Sequence, residues 1–389
     1  MKNIKEIGKS IYYVGVNDHD IDLFEGQFFV PLGMSYNSYV VCDNKNFVFD
    51  SVDASFADEW IENVKKVLDK AKPDYLVVQH VEPDHSGSVK KFLEAFPETT
   101  VIGNAKTFVM LEQFFGKDIA KNRLTVVDGQ TVESDNHAFT FVFAPFVHWP
   151  EVMLTYDAKT KTLFSADAFG KFGAVDYEDD WTCEARRYYF GIVGKYGMQV
   201  QNLLKKARNL DIETICPLHG PILTENISYY LDKYNTWSNY DVESEGVVIA
   251  YSSVYGNTKQ AVEYLRDKLL ENGCEKVVVA DLARNDLAET VEDAFRYGKL
   301  VLASVTYNGD VFPDMKKFLL SLVERGYKKR IVAMIENGSW APTAIKVMKN
   351  MLADSKELTF AENNVSIRSS MNEANKLVID ALAKELTTK

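Results

Sequence analysis

Four side chains that can bind a metal ion lie within six residues of this sequence. They are His80, Glu82, Asp84 and His85. They directly follow the apolar run 75–78, where a buried strand should end and a loop begin, and such loops often carry active sites. A metal site is therefore the first hypothesis for the segment. The alternative is a polar turn, broken by Pro83 and Gly87, in which Asp84 caps the next helix.

Three further residues with metal-binding side chains also follow apolar runs. They are His148 after residues 141–147, Asp167 after 163–166 and His219 after 215–218. Because the ends of neighbouring strands meet at one edge of a sheet, residues far apart in the sequence can form a single site there. We therefore expect these three residues to join the first four. The two remaining histidines, His19 and His137, are expected to be ordinary polar residues.

The number and type of these side chains bear on the metal. Four imidazoles and three carboxylates exceed the four ligands of one tetrahedral zinc ion. A pair of metal ions that share one bridging carboxylate accounts for the set better. Nitrogen and oxygen ligands without a thiolate suit iron and manganese as well as zinc, so the residues alone leave the metal open.

The composition limits the classes of protein that fit. With 389 residues, 46% of them hydrophobic, the chain can form two or three domains with substantial cores. A net charge of -12 disfavours nucleic acid and anionic membranes as partners. No apolar run approaches the ~20 residues of a membrane span, so a cytoplasmic location is expected. The four cysteines form no Cys-x-x-Cys pair, which argues against a disulfide framework, a zinc ribbon or a rubredoxin-like iron site.

Residues 1 to about 240 contain strands and helices in the same rough order twice. The predicted strands are 11–14, 27–30, 38–42, 47–49, 75–79, 100–102, 124–127, 138–144, 153–156 and 162–165, and the predicted helices are 57–71, 88–96 and 105–115. The first four strands are short and separated by turn residues, a pattern typical of an antiparallel meander. The repeated order favours a sandwich of two sheets with helices on the outside.

The second half of the chain alternates strands with helices. An acidic stretch, 241–246, is expected to be the linker that leads into it. The predicted strands are near-continuous apolar runs at 247–251, 276–280, 300–304 and 331–335, and the predicted helices are 258–272, 289–297, 314–325, 341–352 and 373–386. Such runs are typical of parallel strands that are buried on both faces. The order predicts a doubly wound parallel α/β domain.

Three loops at the carboxyl ends of these strands predict a ligand site. They comprise Ser252, Ser253, Val254, Tyr255, Gly256, Asn257 and Thr258 after the first strand, Thr306, Tyr307, Asn308 and Gly309 after the third, and Asn337, Gly338, Ser339 and Trp340 after the fourth. The first loop leads hydroxyl and backbone N–H groups into a helix N-terminus, which favours a phosphate. The aromatic residues of these loops could stack on a planar ligand. The first loop contains neither a Walker-type Gly-Lys-Ser/Thr sequence nor Gly-x-Gly-x-x-Gly, which disfavours nucleoside triphosphates and NAD.

These motifs together resemble those of a known family. The sequence His80-x-Glu82-x-Asp84-His85, followed by His148, Asp167 and His219, resembles the metallo-β-lactamase-like diiron site of the flavodiiron proteins, also called A-type flavoproteins. The strings at 36–39 and 148–151 are also similar to those of the family, and the three loops resemble the FMN-binding loops of flavodoxins. The resemblance implies one iron held by His80, Glu82, His148 and Asp167, and a second held by Asp84, His85, His219 and the shared Asp167.

Two positions depart from the family pattern. Glu25 stands where many members have a histidine near the metal site, and the interval from Asp167 to His219 is shorter than is usual. The first departure bears on proton delivery. The second departure leaves the assignment of His219 as a ligand to be decided by the fold.

The resemblance implies a protein of two domains with mixed α and β structure. An N-terminal metallo-β-lactamase-like αββα sandwich would cover residues 1–245, and a C-terminal flavodoxin-like doubly wound sheet would cover 246–389. The implied cofactors are FMN and two iron ions per chain, and the implied reaction is reduction of O2 to water or of NO to N2O, with no catalytic side chain beyond the metal site. The single phosphate loop also favours FMN over FAD. Because no rubredoxin module follows, electrons are expected from a separate donor such as rubredoxin or its reductase.

A head-to-tail homodimer, or a dimer of such dimers, is the expected working unit. The six residues 241–246 span at most about 20 Å, which is less than the width of a domain. The FMN of one chain is therefore expected to face the iron site of another, as the resemblance also implies.

Two other classes of function remain open. A dizinc hydrolase of the metallo-β-lactamase type, fused to a flavodoxin-like domain, would use the same ligands, although such hydrolases usually carry His in place of Glu82. An electron carrier with an inactive first domain would keep FMN without the metal.

Overall fold

The computed structural model describes residues 4–388. Backbone contacts divide the chain into two compact units. The first consists of residues up to 189 together with 198–235, and the second of 190–197 together with the residues from 236 onward. The domain boundary expected at 245/246 stays a prediction. None of the helices within residues 4–388 is both long enough and apolar enough to cross a membrane.

Most strands of the first unit belong to two large sheets that form a sandwich, and the remaining four form two small sheets. The strands are β1 (Lys5–Gly8), β2 (Ile11–Tyr13), β3 (Val16–Asp18), β4 (Leu23–Phe24), β5 (Phe28–Phe29), β6 (Met34–Tyr36), β7 (Tyr39–Val41), β8 (Phe47–Phe49), β9 (Tyr75–Val77), β10 (Thr100–Gly103), β11 (Arg123–Thr125), β12 (Thr131–Glu133), β13 (Ala138–Phe143), β14 (Met153–Asp157), β15 (Thr162–Phe164) and β16 (Thr214–Cys216). One large sheet has the order β1-β2-β7-β8-β9-β10-β11 and the other β12-β13-β14-β15-β16, and β3–β6 and β4–β5 form the two small sheets.

Each sheet is antiparallel at one end and parallel at the other. The strands are antiparallel from β1 to β8 and parallel from β8 to β11. In the second sheet β16 runs parallel to β15, whereas the strands before it are antiparallel. The predicted antiparallel meander therefore describes only part of the first sheet, because helices connect its later strands and return the chain in the same direction.

The two sheets pack face to face through aromatic side chains. Phe49 of β8 stacks on Phe164 of β15 with the ring centroids 4.1 Å apart, and Phe139 of β13 lies 5.2 Å from Phe49. All three rings are fully buried. Burial of one such side chain contributes about 2–3 kcal/mol. The predicted two-sheet sandwich is confirmed.

Helices connect and flank the strands of this sandwich. Those between residues 57 and 238 are α1 (Ala57–Leu68), α2 (Pro83–Ser86), α3 (Val89–Ala95), α4 (Ala105–Phe115), α5 (Trp181–Tyr188), α6 (Gly197–Ala207) and α7 (Ile227–Ser238). In α1 the residues Trp60, Ile61 and Val64 recur at helical spacing and are buried. The sequence does not predict α5 to α7, because glycines and aromatic residues interrupt the helical period, and the chain there passes through a π-helical turn at Tyr189–Val193.

A small hairpin, β4–β5, lies apart from both large sheets. The sequence predicts a strand at 27–30, whereas the structure has only Phe28–Phe29, which pairs with Leu23–Phe24. Side chains alternate across the hairpin, so Phe24 and Phe28 are buried while Leu23 and Phe29 are 43% and 49% exposed. The hairpin therefore presents an apolar pair to solvent on its outer face.

The second unit is a doubly wound parallel sheet, as predicted. Its elements are β17 (Ser244–Tyr251), α8 (Asn257–Glu271), β18 (Val277–Asp281), α9 (Leu287–Arg296), β19 (Tyr297–Tyr307), β20 (Asp310–Val311), α10 (Pro313–Glu324), β21 (Arg330–Asn337), α11 (Ala344–Met351), β22 (Leu358–Phe360), β23 (Val365–Ile367) and α12 (Glu373–Thr387). The main sheet has the order β18-β17-β19-β21-β22, and β23 pairs with β21 in parallel. The strand order reverses between β17 and β19, which places the loops after these two strands at the position where open α/β sheets bind ligands.

The predicted linker at 241–246 is not a free connection. β17 already begins at Ser244. The buried guanidinium of Arg330 donates to the carbonyl oxygens of Tyr240 at 2.7 Å and Asp241 at 3.2 Å. Lys329 Nζ also donates to Asp241 Oδ1 at 2.9 Å. The acidic stretch is therefore fixed to the beginning of β21.

Candidate metal centre and cofactor pocket

The segment that begins at His80 follows β9, and hydrogen bonds to one carboxylate hold its start. Asp50 Oδ1 accepts from the N–H groups of Gln79 at 2.7 Å and of His80 at 3.3 Å. Pro83 then opens the single turn of α2, and Glu82 precedes it without capping it through its side chain. The segment is thus a strand end followed by one helical turn, which places its imidazoles and carboxylates on one side.

Four of the predicted ligands form one group, which consists of His80, Glu82, His148 and Asp167. His148 Nε2 lies 2.9 Å from Glu82 Oε2 and 3.1 Å from Asp167 Oδ2. His80 Nε2 lies 3.1 Å from Glu82 Oε2 and 3.4 Å from Asp167 Oδ2. Glu82 is partly exposed and the other three residues are buried. Two imidazole nitrogens therefore face two carboxylate oxygens.

The remaining predicted ligands, Asp84, His85 and His219, form a second group. The Nε2 atoms of His85 and His219 each lie 3.2 Å from Asp84 Oδ2 and 3.0 Å from each other. His219 belongs to this group despite its short distance from Asp167 in the sequence. The reason is that it follows β16, which pairs in parallel with β15, and Asp167 follows β15.

Asp167 connects the two groups. Its Oδ2 faces His80 and His148, whereas its Oδ1 lies 3.0 Å from His85 Nε2 and 3.9 Å from His219 Nε2. The two oxygens of one carboxylate thus point into two adjacent groups of ligands. This is the arrangement that a ligand bridging two metal ions requires.

These groups fit metal ions better than ordinary ion pairs. Ligands bound to one ion at about 2 Å lie about 3–4 Å apart. In each group one ligand atom from every residue lies within 4.8 Å of the others. Both oxygens of Asp84 and Oδ1 of Asp167 are buried and accept no hydrogen bond. Such oxygens cost free energy unless a cation satisfies them, and nitrogen and oxygen donors without thiolate suit iron, zinc or manganese.

The charges of the site stabilise one another. Burial alone would lower the pKa of His148, but hydrogen bonds to Asp167 and Glu82 raise it to about 9. Burial alone would raise the pKa of Asp167, but the imidazoles of His80 and His85 hold it well below its usual range. The Asp167 carboxylate is therefore ionised at neutral pH, as a metal ligand must be, and a bound cation would take the place of imidazole protons.

Aromatic side chains enclose His219. The ring centroids of Phe24, Tyr36 and Tyr188 lie 5.4, 6.1 and 5.5 Å from the centroid of its imidazole. Glu25, next to Phe24 in the hairpin turn, has an exposed side chain, yet partial desolvation and the nearby Glu82 carboxylate raise its pKa. The wall of the site is thus apolar beside His219 and acidic on the side of the hairpin turn.

His19 and His137 lie outside both groups, as the sequence predicts. His137 is buried with its Nδ1 2.6 Å from Asp157 Oδ2. The side chain of His19 is 44% exposed and lies 3.2 Å from an Asp176 oxygen.

The predicted ligand loops of the second unit line a cavity of about 540 Å³. All of the predicted residues line it except Ser252 and Gly256. Val305, Ala341, Thr343 and Ser369 line it as well. Ser369 is missing from the prediction because it follows β23, a short strand that the sequence does not indicate. The volume is typical of a site for a small cofactor.

The loop after β17 has the features of a phosphate site. The hydroxyl groups of Ser252 and Thr258 are buried and have no hydrogen-bond partner. Gly256, with a φ of 90°, turns the chain into α8 in a conformation that glycine adopts without strain. None of the described side chains that line the cavity carries a charge. A phosphate would therefore be held by hydroxyl groups and by N–H groups of the helix N-terminus.

The other two loops use some of their polar groups within the fold. Thr306 Oγ1 accepts from the N–H groups of Thr343 at 2.9 Å and Ala344 at 3.2 Å, at the start of α11. Asn337 Nδ2 donates to the carbonyl of Ser369 at 2.9 Å. Thr306 and Asn337 therefore shape the cavity through these bonds.

Aromatic side chains form the rim of the same cavity. Tyr255 and Trp340 are 92% and 88% exposed, and Tyr307 is half exposed. Large aromatic side chains so exposed mark a surface that a planar ligand or a partner covers.

One candidate functional residue does not follow from the sequence. Glu151 Oε1 lies 2.8 Å from His80 Nδ1, although the two residues are 71 positions apart. The only indication is that Glu151 belongs to the string 148–151, and nothing in its spacing relates it to His80.

Comparison with known proteins identifies both halves of the chain. Residues 34–220 match the ODP family beta lactamase, and residues 248–384 match the flavodoxin domain. A nitric oxide reductase of Moorella thermoacetica is 30% identical over 93% of this chain and 92% of its own length.

Solved structures share the whole architecture. The flavodiiron protein of Giardia intestinalis, 25% identical, superposes with a TM-score of 0.92 over 100% of this chain and 96% of that one. The rubredoxin oxygen:oxidoreductase of Desulfovibrio gigas, 24% identical, has the same fold, with a TM-score of 0.92 over 99% of this chain and 98% of that one. From the order of the two domains, the adjacent groups of ligands and these relatives, we conclude that the chain belongs to the flavodiiron proteins.

Proposed function

We propose that this flavodiiron protein reduces a diatomic oxidant, NO to N2O or O2 to water, with FMN and two iron ions per chain. One ion would be held by His80, Glu82, His148 and Asp167, and the other by Asp84, His85, His219 and the shared Asp167. Residues 1–245 would form the metal-binding domain and 246–389 the FMN-binding domain. The name of the Moorella thermoacetica relative, a nitric oxide reductase, supports the choice of reaction.

The observation that carries the proposal is the position of Asp167 between the two groups. A carboxylate with one oxygen facing each group is placed as the bridging ligand of two adjacent metal ions would be. When bound there, a pair of iron ions supplies neighbouring one-electron redox centres for the substrate.

The side chains around the ligands favour a small substrate. Phe24, Tyr36 and Tyr188 pack around His219 and give this side of the site an aromatic wall, which suits a small diatomic substrate. Burial, together with the Asp167 carboxylate, keeps the pKa of Tyr188 well above its ordinary value. The Tyr188 hydroxyl therefore stays protonated at neutral pH and can donate a hydrogen bond beside the metal site.

The cavity of the second unit is proposed to bind FMN. Thr258 offers a buried hydroxyl group without a protein partner to one phosphate, and Tyr255 and Trp340 stand at the rim, where they could cover a ring system. The reductant is proposed to be a protein such as rubredoxin or its reductase, as the name of a flavorubredoxin relative from Klebsiella pneumoniae suggests.

The two alternative functions are less well supported. A dizinc hydrolase has no use for the cavity of the second unit, and relatives with a named activity are reductases. An electron carrier would have no need for seven clustered ligands with orphaned buried oxygens.

The working unit is proposed to be a head-to-tail homodimer, or a pair of such dimers, in which the FMN of one chain faces the iron site of another. Two exposed apolar surfaces support this arrangement. The hairpin pair Leu23 and Phe29 lies beside the metal site, and Tyr255 and Trp340 lie at the rim of the cofactor cavity. Covering one surface with the other would bury both and bring the cofactors of two chains together.

The test begins with purified protein whose iron, zinc and flavin have been quantified. We expect about two iron ions and one FMN per chain. The protein is then reduced without oxygen and given NO or O2 in separate experiments, and gas consumption, N2O and hydrogen peroxide are measured. Iron-dependent formation of N2O, or consumption of O2 without peroxide, would support the proposal, because free reduced flavin converts O2 to peroxide. Zinc content with ester or thioester hydrolysis would favour the hydrolase, and FMN without metal would favour the carrier.

A further inference from the structure

Three of the four clustered imidazoles, those of His80, His219 and His85, differ in the partner of the ring nitrogen Nδ1, which faces away from the metal site. His80 Nδ1 lies 2.8 Å from Glu151 Oε1, whereas its Nε2 faces the carboxylates of the first group. His219 Nδ1 donates to the main-chain carbonyl of Ser35 at 2.7 Å. His85 Nδ1 is buried and has no hydrogen-bond partner. One imidazole is thus held by a charged group, one by a neutral group and one by none.

Glu151 is built into this position. Its side chain is fully buried, and Oε1 also accepts from the N–H group of Val81 at 2.9 Å. Its main-chain carbonyl accepts from Asn104 Nδ2 at 2.5 Å. The ring of Trp149 packs edge to face against His80, with centroids 5.3 Å apart. The carboxylate therefore cannot swing round to the metal site and can act on it only through His80.

A carboxylate that contacts the ring nitrogen facing away from the metal has a known effect on metal binding by an imidazole. It keeps the proton on the nitrogen that it contacts, so that the other nitrogen is free to bind metal, and it makes the ring a stronger donor. A carbonyl oxygen orients the ring with less effect on its basicity. Loss of such a partner typically weakens metal binding about 10–100-fold.

We propose that Glu151 is a positioning residue that makes the two metal positions unequal, so that the group of His80, Glu82, His148 and Asp167 binds its ion first and more tightly. The second group, in which His85 Nδ1 has no hydrogen-bond partner, binds its ion afterwards. This inference rests on the two metal positions of the proposed function and adds an order of binding to them.

The test is a metal titration, which needs no turnover. Protein with FMN bound is stripped of metal with a chelator and titrated anaerobically with Co2+, whose visible absorption reports its ligands, and with Zn2+ in competition with a chromophoric chelator. Wild-type protein should bind two ions in separate phases. Glu151→Gln keeps the size of the side chain and removes its charge. It should weaken the first phase about 10–100-fold, change the absorption of the first Co2+ ion, and leave the second phase as it is.

The chain offers a matched control in Asp157→Asn. Asp157 is a fully buried carboxylate that contacts an imidazole, as Glu151 is: its Oδ2 lies 2.6 Å from His137 Nδ1. His137, however, lies outside both ligand groups. This variant should leave both phases of metal binding unchanged, while FMN content and circular dichroism show that each variant is folded. An equal loss of metal affinity in Glu151→Gln and Asp157→Asn would mean general destabilisation and would overturn the role of Glu151.

The outcomes separate this inference from the proposed function. Two ions bound with a single affinity, or a first phase that Glu151→Gln leaves unchanged, would overturn the role of Glu151 and leave the two-metal site in place. Failure of wild-type protein to bind a second ion would overturn both.

Discussion

His137 Nδ1 donates a hydrogen bond of 2.6 Å to Asp157 Oδ2, and neither side chain is exposed to solvent. The bond joins the residue before β13 to the last residue of β14. Asp157 also accepts from the N–H group of Ala138 at 3.0 Å and from the Thr160 hydroxyl. Burial alone would raise the pKa of Asp157, but these hydrogen bonds outweigh burial and lower it.

We expect Asp157→Asn to lower the free energy of unfolding by about 1–3 kcal/mol at neutral pH, because an amide cannot replace every hydrogen bond to a carboxylate. Since the folded-state pKa is lowered, the carboxylate stabilises the fold above about pH 4, the pKa of an unfolded aspartate, and this stabilisation is lost as the pH falls through the folded-state pKa. Urea denaturation of both proteins over a range of pH measures the difference. It should shrink towards acidic pH, and a difference that stays constant would contradict this account.

Asp167→Ala should release most of both metal ions and leave FMN in place, because it removes the one carboxylate that faces both groups. Elemental analysis and flavin absorption measure the two contents in the same sample. The control is Asp176→Ala, which removes a carboxylate that is 56% exposed and should keep the metal. Native iron content with full activity in Asp167→Ala would rule out the bridging role.

Thr258→Val keeps the shape of the side chain and removes a buried hydroxyl without a protein partner. If this hydroxyl holds the FMN phosphate, its loss should weaken FMN binding about tenfold, which corresponds to one net hydrogen bond to a charged group. Asn257→Ala combined with Thr258→Ala should release the flavin. Fluorescence titration of flavin-free protein measures the affinity, and iron content serves as the control. FAD extracted from the native protein would contradict the assignment of the cofactor.

Mixed chains test the head-to-tail dimer. An iron-deficient chain carries Asp84→Ala and His85→Ala, and an FMN-deficient chain carries Asn257→Ala and Thr258→Ala. If electrons cross between chains, random exchange of subunits should restore about a quarter of wild-type activity. Half of the dimers are mixed, and each mixed dimer has one intact FMN facing an intact iron site, whereas a wild-type dimer has two. Mass spectrometry confirms that mixed dimers form. Mixed dimers without activity would sink the arrangement.

Arg330→Met should lower the free energy of unfolding of the second unit by about 2–4 kcal/mol. The buried guanidinium donates to the carbonyl oxygens of Tyr240, Lys328, Lys329, Asp241 and Phe295. Without it, buried acceptors lose their charged partner. Lys329→Met is the control, because the Lys329 side chain is 36% exposed and its ion pair should contribute less than about 1 kcal/mol. Chemical denaturation followed by flavin fluorescence measures both, and equal losses would contradict the role of Arg330.

The sequence indicates the seven candidate ligand residues because each lies in a segment that follows an apolar run. Buried strands such as β9 and β15 are near-continuous in apolar residues, so their ends can be placed to within a few positions. The meeting of Asp167 and His219 then follows from the parallel pairing of β15 with β16. The same argument places the cavity loops after β17, β19 and β21.

Features that depend on tertiary contacts could not be predicted. Glu151 meets His80 only because β13, β14 and the loop between them fold against β9, and no local pattern records that contact. The stretch 241–246 is acidic and polar like a linker, but the distant Arg330 fixes it in place. The strand predicted at 27–30 shortens to two residues because Glu25 and Gly26 form a tight turn with positive φ.

The absence of charged side chains among the described residues that line the cofactor cavity has a consequence for handling the protein. Salt weakens binding that depends on exposed ion pairs, because it screens them over a Debye length of about 10 Å at 0.1 M. Here the hydroxyl group of Thr258 is buried, and hydroxyl and backbone N–H groups carry no net charge that salt could screen. The flavin should therefore remain bound through a high-salt wash, and it should leave when mild denaturant loosens the loop between β17 and α8.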